Sequence, residues 1–296
     1  ILDLINTFDT EQKCIEHLEK ARRNGFVRSP FSAKSKVYVC KGNKYKCKDT
    51  GKYFNVKTWT LFDNTKLPLQ KWFIAIRLIT SHKKGISSLQ LGRDLDITQK
   101  SARHMLHRIR DCFGVKIPEL DWIVEVDETY VGGKNKNKHA HKKTKNAQGR
   151  STKDKVPVVW MVQRWGKVIA NVVQDVKAET LSQEIINYVK TTAEVHTDER
   201  LGYNTIKKFY SHKYIKHGVW EYVRDNVHTN TIEWFRSLMK RWVNGIYHSV
   251  SKKHLQKYVD EFVFRYNSRT LTEAERFNAL LFQCSNRLTY NDLVNG

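Results

Sequence analysis

Asp127 in VEVDETYVGG, Asp198 in VHTDE and Glu233 in HTNTIEWF are carboxylates from three separate stretches of the chain, and Lys240 follows Glu233 by seven positions. Carboxylate oxygens are hard donors. Three that converged would suit Mg2+ or Mn2+, and two such ions sharing them would activate an attacking oxygen and stabilise a leaving one on phosphorus. The surrounding chain is strongly basic, with a formal charge of +23 at pH 7 over 296 residues. Such a protein attracts polyanions, and bare carboxylates would repel a phosphate backbone unless cations stood between. Together these features point to metal-assisted phosphodiester chemistry on DNA. Charge alone would serve RNA or an anionic membrane surface equally well, so the elements that carry the residues have to decide.

Asp127 falls in IVEVDETYV, where Val124 and Val126 alternate as strand residues do. VPVVWMV and KVIANVV continue as strands, LSQEIINYVKT reads as a helix, and AEVHTDE is a fourth strand ending at Asp198, with further helix and strand material at WEYV. This β-β-β-α-β order suits an α/β fold with a ribonuclease-H-like mixed sheet flanked by helices. The first and fourth strands of such a sheet are neighbours, which would bring Asp127 to Asp198. Glu233 begins a helix, NTIEWFRSLMKRWVNGIYHS, whose Ile232, Phe235, Leu238, Met239 and Trp242 form a core stripe. Seven positions are about two helical turns, so Lys240 shares the face of Glu233, and Lys240 and Arg241 are placed to grip a phosphate. The plainer reading takes the acids as three of thirty and Lys240 as a surface lysine.

Ahead of the sheet, TEQKCIEHLEKAR reads as a short helix capped by Thr10, and VRSPFSAKSKVYVCKGNKYKCKDTGKYFNVKTWT as two small hairpin-like units. Pro68 opens a helix with Leu69, Trp72, Phe73, Ile76 and Ile79 on one face. SSLQ matches a capping box for a short helix burying Leu89 and Leu95. After a turn at Asp96 and Ile97, Thr98 caps TQKSARHMLHRIRDCF, in which Ala102, Met105, Leu106 and Ile109 face inward while Gln99, Lys100, Arg103, His107 and Arg110 face outward. Helix, tight turn and basic helix form a helix-turn-helix layout, whose last helix would enter the major groove. Small helical bundles share that pattern. Between the first two sheet strands, residues 134–155 hold nine Lys or Arg against one Asp. Lys134, Lys136, Lys142 and Lys143 there form either a solvated loop or an arm that tracks phosphates. The divisions expected are 1–62, 63–118, 119–275 and a tail at 276–296.

No apolar run approaches the roughly 18 residues of a membrane span, and the first residues lack the layout of a secretory signal. Five cysteines, at 14, 40, 47, 112 and 284, form no paired framework. A cytoplasmic protein with no membrane partner is expected.

VEVDETYVGG, HTDE, and HTNTIEWFRSLMKR followed by GIYHSVSKKHLQKYVDEFVFRYNSR resemble the catalytic domain of bacterial insertion-sequence transposases of the ISXO type, related to the eukaryotic Merlin elements. TKLPLQKWFIAI and SHKKGISSLQL extend the resemblance towards the N-terminus. It implies a nucleoid-associated DDE enzyme that binds terminal inverted repeats, cuts DNA with metal-bound water and joins the freed 3′-hydroxyl to target DNA, as a homodimer or larger assembly. Asp127, Asp198 and Glu233 would be its metal-binding triad, with Asn230 the alternative third member, and Lys240 the lysine after the glutamate.

The departures are as informative. Where the family has a zinc ribbon with two Cys pairs, this chain reads SPFS at 29–32 and CKDT at 47–50. Hydroxyls are poor zinc ligands beside thiolates, so a degenerate ribbon without zinc is expected. Trp59, Trp122, Trp160, Trp165, Trp220, Trp234 and Trp242 stand where the family leads one to expect glycine, and Arg23, Arg103, Arg200 and Arg236 where it leads one to expect tryptophan. That pattern marks a decayed copy or a decoding artefact. The alternatives to an active transposase are therefore a relic that only binds DNA and a structure-selective nuclease.

Overall fold

The computed structural model describes residues 2–23, 26–114, 119–132, 139–143, 155–199, 201–284 and 287–295. Two compact units emerge, Ile1–Val115 with Leu271–Gly296, and Lys116–Thr270.

The first unit opens with α1 (Leu2–Thr7) and α2 (Glu11–Arg23), where the Thr10 hydroxyl accepts from the Lys13 amide at 3.3 Å. A three-stranded antiparallel sheet follows, of β1 (Val37–Cys40), β2 (Lys44–Cys47) and β3 (Tyr53–Phe54). Its small core is Tyr45, Cys47 and Phe54, with Val27, Phe31 and Val37 against it. In this module Cys47 donates to Ser35 Oγ at 3.2 Å, and Ser29 Oγ accepts from the Phe31 amide at 3.2 Å.

Helices α3 (Leu69–Ser81), α4 (Ser88–Asp94) and α5 (Gln99–Arg110) complete this stretch. Ser87 caps α4 by accepting from the Gln90 amide at 3.1 Å, and Thr98 caps α5 by accepting from the Ser101 amide at 3.2 Å. Only half of the capping box forms, because the Gln90 side chain turns to Asp94 at 2.6 Å. Three expected orientations are corrected. Leu89 is exposed and Leu91 takes the buried place beside Leu95, while His107 and Arg110 are buried with the apolar face of α5. The last turns of α5 are enclosed on all sides, so a residue's angular position there no longer predicts access to solvent; this removes His107 from the outward set.

The second unit is built on β4 (Ile123–Val131), β5 (Val156–Gln163), β6 (Val168–Val172), α6 (Ala178–Tyr188), β7 (Glu194–Asp198), β8 (Ser211–Ile215), α7 (Asn230–Trp242) and α8 (Leu255–Asn267). The five-stranded sheet runs β6-β5-β4-β7-β8, antiparallel from β6 to β4 and parallel from β4 to β8. It is an α/β fold with a mixed sheet between helices. Alternation along the strands assigns each face: Val124, Val126, Val159 and Met161 pack with Leu181 and Ile185 of α6, while Val158, Trp160 and Val162 pack with Phe235 of α7 and Val259 and Phe262 of α8. The last strand is Ser211–Ile215 rather than WEYV, where Trp220 adopts φ 62° and breaks the extended run. Finally α9 (Glu273–Gln283), with a full capping box from Thr272 and Glu275, and α10 (Tyr290–Asn295) belong to the first unit.

Nine described non-glycine residues have positive φ. Four are Asn or Asp, which tolerate the left-handed region, and one is His248; the other four are Trp59, Trp122, Trp165 and Trp220, at φ 58–66°. All four indoles are more than half exposed, and only Trp59 has a ring contact, edge-to-face with Phe31, so little packing compensates the backbone among these described residues. Trp160 and Trp242, by contrast, are buried in the core of the second unit, each with its indole N–H unpaired. Trp165→Gly, at an 89 % exposed turn, is expected to raise the urea-unfolding free energy by about 1 kcal/mol. Trp160→Gly should lower it by about 3–5 kcal/mol. Equal effects of the two substitutions would contradict this division.

Candidate active site

Asp127 lies in the middle of β4, its side chain on the face covered by α7 and α8, because it pairs in register with Trp160 of that face. Asp198 is the last residue of β7, and the parallel ladder between these strands matches Glu125 to His196. The ladder ends at that pair; the same register continued for two residues would set Asp127 level with Asp198 on one face. Neighbouring strands lie about 4.8 Å apart, so both carboxylates belong to one patch of the sheet. One Asp127 oxygen accepts from the Glu128 amide at 2.7 Å.

Glu233 is in the first turn of α7 and Lys240 in its last, on a helix seated by Ile232, Phe235, Met239 and Trp242. Between them, Arg236 makes a direct ion pair with Asp127. The Lys240 ammonium is held below its usual pKa, first by loss of solvent and then by the nearby Arg236 cation, while Asp127 opposes the shift. Asp127 therefore faces two cations projecting from successive turns of one helix. Asn230, the alternative third acid position, is the first residue of α7 and exposed.

A buried polar cluster adjoins this patch. Glu125, two residues before Asp127 and on the same face, is fully enclosed and ion-paired with Arg164 at 2.7 Å. Its other oxygen accepts from the Ile232 amide at 2.9 Å. Sequence reasoning passed over Glu125, Arg164 and His196; the available signal was a glutamate at an inward position of an otherwise apolar strand.

The donor set has the right chemistry for a hard divalent ion, yet the arrangement does not fit one. Asp127 is engaged by Arg236, and among the described residues no group of three His, Cys, Asp or Glu stands close enough to share an ion. The guanidinium supplies the positive charge that a metal would otherwise bring.

Of the expected DNA contacts, Gln99, Lys100 and Arg103 are exposed on α5, with the Gln99 amide also donating to Ser88 at 2.9 Å. Arg241 is exposed at the end of α7 and Lys143 beside a 3-10 turn at Ala140–Lys142. Lys134, Lys136 and the Lys142 side chain lie outside the described residues.

A family model for the ISXO2-like transposase domain matches residues 119–267. A protein of Halobacterium salinarum, described as an uncharacterized protein in transposable element ISH50, is 29 % identical over 277 residues, covering 88 % of this chain and 92 % of that protein. Among solved structures, a pre-cleavage Mos1 transpososome is 11 % identical with a TM-score of 0.32, covering 97 % of each chain. The Mos1 strand transfer complex is 12 % identical with a TM-score of 0.32, covering 73 % and 79 %. Similarity as slight as these two carries no weight for this protein.

Removing the cation that occupies Asp127 should open the site. Arg236→Ala is expected to bind Mn2+ at least about tenfold more tightly than the parent by calorimetry, a gain of about 1.4 kcal/mol, and Asp127→Asn in that background should abolish the gain. Equal affinities with and without Arg236 would show that the ion pair does not compete with metal.

Proposed function

The chain belongs to the ISXO2-like transposase domain family, and on that premise we propose that it binds the terminal inverted repeats of its element as double-stranded DNA, cuts strands there and joins the freed ends to target DNA. The observation that carries this reading is the placement of the matched segment. Residues 119–267 include β4, β7 and α7, the elements that carry Asp127, Asp198 and Glu233. The strand order, with two antiparallel partners on one side of β4 and two parallel strands on the other, supports a ribonuclease-H-like arrangement.

The chain's own residues divide the work. Exposed Gln99, Lys100 and Arg103 on a capped helix support the helix-turn-helix reading, with α5 as the element that reads the repeat. Lys240 and Arg241 hold the backbone phosphate beside the carboxylates. A phosphate arriving there competes with Asp127 for Arg236, so DNA itself would draw the guanidinium away and free the aspartate. Cleaving two ends requires two active sites held together, which supports a homodimer or larger assembly on DNA.

One observation favours a second reading. With Asp127 paired to Arg236 and no three-ligand group assembled among the described residues, the protein would be a relic that retains DNA binding and has lost turnover.

The two readings separate in one experiment with labelled element ends and Mg2+. The transposase reading expects nicks at the element boundary, reduced at least about a hundredfold in Asp198→Ala while end affinity is unchanged. Tight binding without a nick in the parent would leave the relic. In both cases Lys100→Ala should weaken binding and lower the slope of log affinity against log salt by about 0.9 if it contacts one phosphate.

A further inference from the structure

Glu125 and Arg164 are buried charges with no solvent to share, and their hydrogen bonds reach every element that carries a candidate catalytic acid. Arg164 follows β5 directly. Its Nε donates to Glu125 of β4 at 2.7 Å, and one terminal nitrogen donates to the Asn226 carbonyl at 2.8 Å. The other terminal nitrogen donates to the His228 carbonyl at 3.0 Å and to His196 Nδ1 at 3.1 Å. Asn226 and His228 lie on the segment entering α7, and His196 lies on β7, two residues before Asp198. Since His196 Nδ1 accepts from Arg164, the ring proton is on Nε2, which donates to Glu194 at 2.5 Å. Glu125 closes the circuit by accepting from the Ile232 amide in the first turn of α7, one residue before Glu233.

We propose that Arg164, together with Glu125, positions α7, fixing the rotation of its first turn and with it the direction in which Glu233, the residue after the bonded Ile232 amide, leaves the helix. This rests on the transposase reading. The apolar stripe of α7 holds the helix on the sheet, but apolar burial has no direction and leaves the helix free to slide or turn by small amounts. Hydrogen bonds to the entering carbonyls and to the first-turn amide do have direction. A buried ion pair is also weak evidence for a stabilising role, because apolar groups of similar volume often replace such a pair without loss.

That last property supplies the test. In the Glu125→Leu/Arg164→Met double variant both charges leave together. The expected result is a urea midpoint at or above the parent's, affinity for element ends within about threefold, and single-turnover cleavage reduced at least about a hundredfold. Glu125→Gln keeps an acceptor for the Ile232 amide while losing the charge that holds Arg164, and should cleave about tenfold more slowly with unchanged end affinity. It decides the matter if the double variant fails to fold. Parent-level cleavage in either folded variant overturns the proposal. If the parent does not cleave, the transposase reading has failed, and the positioning role is read from hydrogen exchange instead. Amides of residues 233–236 should then exchange at least about tenfold faster in the double variant, and unchanged protection overturns the proposal.

Discussion

A carboxylate with no water around it must be met by donors, and Glu125 is met by an arginine side chain and by the backbone of a helix. That requirement organises the second unit. One oxygen of Glu125 joins the strand that carries Asp127 to the helix that carries Glu233, and the other holds Arg164 at the end of β5. The strand that carries Asp198 is tied in through His196 and Arg164. Enclosing so much polarity is offset by hydrogen bonds from all three guanidinium nitrogens, while His228 Nδ1, buried 3.3 Å from Glu125, makes none.

The same face of the sheet shows how far charge can be exchanged for charge. Asp127 sits near the edge of the enclosed region and is satisfied by Arg236, which reaches it from α7. A cation at this carboxylate is what the sheet requires, and the helix brings one of its own. Lys240, a turn further on, adds a second positive group to the same neighbourhood. The patch is thus ready for phosphate in the state described, while its carboxylate is engaged.

Much of this was legible in the sequence because it depends on local pattern. Ser87 and Thr98 announce their helices, and Val124 and Val126 announce β4 by alternation; the placement of β7 directly beside β4 follows from the order of elements. What was hidden depends on contacts between distant segments. Nothing near Arg164 in sequence reveals that it meets Glu125, and nothing near Arg236 reveals Asp127. His107 and Arg110 were misread because helical periodicity describes one helix in isolation, whereas both are enclosed by its neighbours. The return of α9 and α10 to the first unit was hidden for a related reason, since their apolar residues show that a core exists without showing which one. WEYV was misread as a strand because its first residue has strand propensity by type and turns a corner in fact.

That corner belongs to a set of four. Tryptophan is among the residues least suited to a left-handed backbone, yet each of these four indoles is held out in solvent at a bend that a residue without a side chain would make freely. Glycine would adopt the same backbone at each of these bends without strain, so the four tryptophans load the fold with steric cost at the very places where its chain reverses.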